Sequence, residues 1–139
     1  MKNSICALVG MIGSGIASIF GGWDSGLITL VILMFIDYIS GLMVGGIFHN
    51  SNKTKSGSLE SNACFKGLCK KCIILCFVLI GHRIDILLEI DYVKTGICIA
   101  FIVNELISIV ENAGLMGIPI PKILIKAIEI LKEKGENID

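Results

Sequence analysis

Between Ile5 and Phe48 the chain has only two charged residues, Asp24 and Asp37, and no Lys or Arg. An apolar stretch of that length cannot be folded away inside a soluble domain of 139 residues. The hydrocarbon core of a bilayer is about 30 Å thick and takes roughly 20 helical residues to cross. Residues 5–23 and 26–48 each reach that length, with Asp24 as a charged break between them. The implied solvent is lipid, and any function must be one exercised in a membrane.

Composition agrees. Charged residues make up 17 % of the chain, against about 25 % in soluble domains. Net charge is zero, but the charges cluster between apolar segments and after the last one. The first segment reads as a retained span rather than a cleaved leader, because Lys2 is its only cation and the run continues apolar to Trp23. Six cysteines are present, and Cys69, Cys72 and Cys76 share a helix face. They read as small, polarizable packing residues in a reducing compartment. Cys69-x-x-Cys72 has no second Cys or His pair at the spacing a metal finger requires.

Four apolar segments are expected, at about 5–23, 26–48, 72–90 and 95–113. Each must be helical, since unpaired backbone groups in lipid cost several kcal/mol apiece. The expected fold is thus all-α: about four transmembrane helices within residues 1–121, then an amphipathic helix in 122–139. The connection 49–71 carries Lys53, Lys55, Lys66, Lys70 and Lys71 against Glu60 alone. The other two turns are short and acidic. Lysine-bearing segments stay on the cytoplasmic side, so both termini and the 49–71 loop are expected there, in a multi-pass membrane protein. Gly117, Pro119 and Pro121 force a break. After it, Ile123, Leu124, Ala127, Ile128 and Leu131 recur at helical spacing opposite Lys126, Glu129 and Lys132. That pattern suits a helix lying on the membrane surface, or one packed on another subunit or partner.

Two features inside the spans bear on function. Gly10, Ser14, Ser18 and Gly22 repeat every four residues, and Gly13, Ala17 and Gly21 form a second row. Gly41 and Gly45 add a shorter one. Such rows let helix backbones approach closely in lipid, either between copies of the chain or within one copy. The second feature is the set of polar residues in apolar runs: Asp37, Arg83, Asp85, Asn104, Glu105 and Ser108. Charges at membrane depth are costly and face a cavity, a pore or one another. Depth matching suggests Asp37 or Glu105 as the partner of Arg83. The group then serves as an ion pair, or as pore-lining or proton-sensing residues. Asn104, Ser108, Glu111 and Asn112 also fall on one face of the last span.

No phosphate-cradling Gly-rich loop, HExxH or supported nucleophile set is present, so no catalytic, cofactor or metal residues are assigned. Zero net charge argues against nucleic-acid binding.

Glu105-Leu-Ile-Ser108, then Glu111-Asn-Ala-Gly114-Leu-Met-Gly117-Ile-Pro-Ile-Pro121-Lys122, resembles the toxin-secretion/phage-lysis holin family. Asp37-Tyr-Ile-Ser-Gly41, the Lys/Ser/Gly-rich connection and Asp85 resemble it more weakly. The likeness covers about residues 27–135. It departs at the cysteine-rich third segment and at Arg83 beside Asp85. The resemblance implies a homo-oligomer of the cytoplasmic membrane that forms lesions. Through these an endolysin or a large toxin leaves the cell, with no cofactor and no catalytic residues. Two other functions fit the same residues: a non-lytic membrane adaptor, and a small channel or transporter subunit.

Overall fold

The computed structural model describes residues 1–138 and places them in five helices with no strand. Asp139, the last residue of the expected tail, lies outside the described residues. The helices are α1 (Lys2–Ile19), α2 (Ser25–Gly46), α3 (Ser61–Leu88), α4 (Val93–Leu115) and α5 (Lys122–Glu136).

Local chemistry sets the boundaries. Gly21 and Gly22 end α1 with φ of 81° and 95°, a left-handed conformation that costs glycine nothing. Asp24 then caps α2, its carboxylate accepting the Leu27 N–H at 2.8 Å. At the end of α3, Glu89 takes the left-handed conformation, and the Ile90 N–H returns to the Asp85 carbonyl at 2.9 Å, which closes the helix in a Schellman arrangement. Gly117 at φ 79° and the two prolines separate α4 from α5.

Of the described helices, α1, α2 and α4 are long and apolar enough to cross a membrane. The expected count of about four is therefore corrected to three. The exception, α3, is the longest at 28 residues, but it carries Lys66, Lys70, Lys71, Arg83 and Asp85. It also begins well before residue 72, so the stretch 61–71 is helix rather than loop.

The core is a three-helix arrangement in which α4 packs on both α2 and α3. Leu27, Leu30 and Met34 of α2 meet Val78 of α3 and Cys98 and Ile102 of α4. Gly81 is what allows α3 to sit so close to α4. A Cβ there would lie 2.7 Å from Ile97 Cδ1 and 3.2 Å from Lys94 Cα. The bundle has two distinct ends. At one, Asn50 donates to the Leu115 carbonyl at 3.1 Å, joining the 47–60 loop to the end of α4. At the other sit the α1–α2 corner and the α3–α4 turn.

Two helices lie outside this core. In α1 only Ala17 is buried. Gly10 and Gly13 face open space, Ser14 and Ser18 are exposed, and Gly21 makes room for the His82 ring. The amphipathic α5 does not stand clear of the bundle. It folds back along α4, with Gly135 opposite Ile99 and Ile138 beside Gly96, and Leu131 joins the edge of the core. Its docking partner is this chain's own α4.

Candidate functional site

Asp37 and Glu105 each occupy the middle of an apolar helix, α2 and α4, and both are buried. Helix α3 brings Lys71 between them. Its ammonium nitrogen lies 2.7 Å from Asp37 Oδ2 and 2.7 Å from Glu105 Oε2. One lysine thus ties three helices together. Removing such charges from water is expensive unless each is paired and hydrogen-bonded, and here the remaining valences are used. Asn112 Nδ2 donates to Ser40 Oγ at 2.8 Å and lies 3.2 Å from Asp37 Oδ1. Ser40 Oγ donates in turn to the Asp37 carbonyl at 3.0 Å. Among the described residues, every buried side-chain nitrogen or oxygen has a partner.

The cluster holds one ammonium against two carboxylates. It is open on one side to a cavity of about 420 Å³ roofed by the 47–60 loop, where Asn104 and Ser108 also lie. The arrangement can hold or exchange a proton or admit a second cation, and it can come apart only by exposing charge.

Arg83 is not the partner of these acids. It is exposed and forms no ion pair among the described residues. Twelve residues separate it from Lys71, which is about 18 Å along a helix, so it belongs to the opposite end of the bundle. Lys71 escaped depth matching because it sits where the charged loop passes into the apolar run, and nothing in composition says which side of that border is helical. Asp85 is also remote from the cluster. Its carboxylate accepts the Val93 and Lys94 N–H groups at 2.9 and 3.0 Å, capping α4 from a neighbouring helix.

A second polar knot holds that end. The Lys94 ammonium donates to Asp24 Oδ2 at 2.7 Å and to the Phe20 carbonyl. Burial pushes the Asp24 carboxyl up. The hydrogen bonds from Lys94 and the Leu27 N–H outweigh it and hold the group below the usual carboxylate range. A depressed carboxylate stabilises the fold above its unfolded value, and that contribution is lost as pH falls through the folded one. This corner therefore stays tied until the medium is more acidic than ordinary aspartate titration. Of the cysteines, Cys98 is buried in the core, while Cys69, Cys72 and Cys76 are exposed on α3.

Apolar helices of spanning length closed around a charged interior define a membrane-embedded helical protein. The chain belongs to the bacteriophage holin family, whose model matches residues 14–133. It is 36 % identical over 94 % of both chains to a protein of Clostridium perfringens strain 13. It is 39 % identical to a 14.9 kDa protein of the nagH 3′ region of the same species, covering 84 % of this chain and 83 % of that one. A more distant relative, 24 % identical over 78 % of this chain and 75 % of its own, is named a probable holin of Bacillus phage phi105. No solved structure matches.

Proposed function

We propose that this protein is a holin that assembles with copies of itself in a bacterial cytoplasmic membrane and opens lesions there, through which an endolysin or a large toxin passes. The observation that carries the reading is the ion cluster itself: two buried carboxylates sharing one half-buried lysine between helices, two of which suit hydrocarbon. A purely structural bundle gains little from such a cluster, since well-packed apolar residues serve as well or better. A bundle that must later open to water needs polar groups already inside it.

The route follows from the packing. The Gly10, Ser14, Ser18 row of α1 is unoccupied within the chain, whereas Ala17 and Gly21 of the second row pack internally; the first row is available to another copy. In the bundle, α3 is carried with its neighbours: Lys71 is matched by two acids, and Asp85 by the start of α4. The loop end holds Lys53, Lys55, Lys66 and Lys70 and faces the cytoplasm in this reading. Helix α5 cannot follow α4 into hydrocarbon, because Lys126, Glu129, Lys132, Glu133 and Lys134 would go with it. It leaves α4 for the headgroup region as the protein inserts, where its lysines reach water. Asp37, Glu105 and Lys71 then act as the trigger, since separating α2, α3 and α4 exposes them to one another's loss.

The test is expression in a bacterium alone and with a cytoplasmic endolysin. Membrane potential should collapse in the first case and the culture should clear in the second. Cells that keep their potential with the protein verified in the membrane would count against lesion formation.

A further inference from the structure

The cavity at the loop end lies between the last turns of α2, the first turns of α3 and the middle of α4. Its volume of about 420 Å³ falls within the range of about 300–1,000 Å³ typical of small-molecule sites. Lys53, Lys66 and Lys70 line it, and none forms an ion pair among the described residues. Of the acids that share the cavity, Asp37 and Glu105 hold Lys71, and Glu60, which accepts from Ser56, is the one carboxylate set against the three lysines. Lys53 is the most telling of the three. It extends from the loop to α2, where a Cβ on Gly41 would lie 3.7 Å from its nitrogen. Its ammonium thus borders the cavity on the α2 side and forms no ion pair among the described residues.

We propose that this cavity binds a phosphate-bearing anion, seated on Lys53, Lys66 and Lys70 with Ser51 and Thr54 alongside. Lysine ammonium groups are point charges suited to phosphate oxygens, and the two hydroxyls add donors. The surroundings favour a phospholipid headgroup over free phosphate. The cavity runs from the middle of α2 to its loop end, and that end reaches the headgroup layer when α2 crosses a bilayer. Leu42, Leu59 and Ile74 also line it and offer an apolar wall for the start of an acyl chain. Binding does not depend on lesion formation and stands or falls separately from it.

The test uses the full chain in a neutral detergent, followed by thermal unfolding. Phosphatidylglycerol, phosphatidylcholine of the same chain length and inorganic phosphate are titrated separately. Phosphatidylglycerol should raise the midpoint more than phosphatidylcholine does. The K53Q/K66Q/K70Q variant should lose that difference, and K53Q alone should lose part of it. The K55Q variant, altered in the same loop but outside the cavity lining, should keep it. A rise reproduced by inorganic phosphate and lost in the same triple variant supports the site with a free anion as its occupant. Equal responses to the two lipids overturn the proposal, as does an unchanged response in the triple variant.

Discussion

At the residue scale, the protein depends on Lys71 more than on either acid. Changing it to Met leaves two buried carboxylates facing each other with no cation between them. Breaking a buried pair from one side costs about 3–5 kcal/mol. Asp37→Asn keeps the shape and leaves Lys71 matched one-to-one with Glu105, so it should cost much less. The ordering is checked by thermal unfolding of both variants in detergent, and a Lys71 variant as stable as the Asp37 variant would contradict the cluster. Asp37 and Glu105 were legible in the sequence because a carboxylate inside an apolar run stands out. Lys71 was not, because a lysine in a lysine-rich stretch does not. Adjacent helical residues point about 100° apart, which turns Lys71 inward and leaves Lys70 exposed, but that difference exists only once the helix is known to begin at Ser61. Asp85 was legible as an unusual charge and not as a cap, since its partners are N–H groups of a helix whose start is invisible in composition.

At the element scale, α2 and α4 follow directly from long apolar runs broken by only a few polar residues, and α5 from its amphipathic spacing. Helix α3 was the hard one. Of its charges, Lys71 and Asp85 find partners in α2 and α4, whereas Lys66, Lys70 and Arg83 stay exposed, and only the packing separates the two sets. Gly81 belongs with it: glycines in α1 attract attention by their periodicity, whereas the one that actually lets two helices meet is isolated. The position of α5 is the element-level fact with most bearing on function. A Cβ on Gly135 would lie 3.9 Å from Ile99 Cβ, within the range a disulfide spans. In a background free of the six native cysteines, an I99C/G135C pair should therefore cross-link on oxidation. If α5 must leave α4, the oxidised protein should depolarise cells or vesicles much more slowly than the reduced one. Equal rates would mean that the tail stays docked in the active form.

At the scale of the whole molecule, two opposing demands are visible together. Much of the surface is apolar: Ile12, Ile16, Phe35, Phe65, Leu87 and Ile123 are all exposed, as a bilayer requires. The interior holds paired charges and a cavity lined by polar side chains, as the proposed opening to water requires. That combination was foreshadowed by apolar runs carrying isolated acids, while the identity of the pairs needed the packing of α3. The most direct measurement of the central claim is leakage from lipid vesicles containing the purified protein and loaded with a small dye and a protein-sized dextran. Release of both cargoes, increasing steeply with protein per vesicle, is the predicted result. Retention of both by vesicles in which the protein is demonstrably inserted would contradict it.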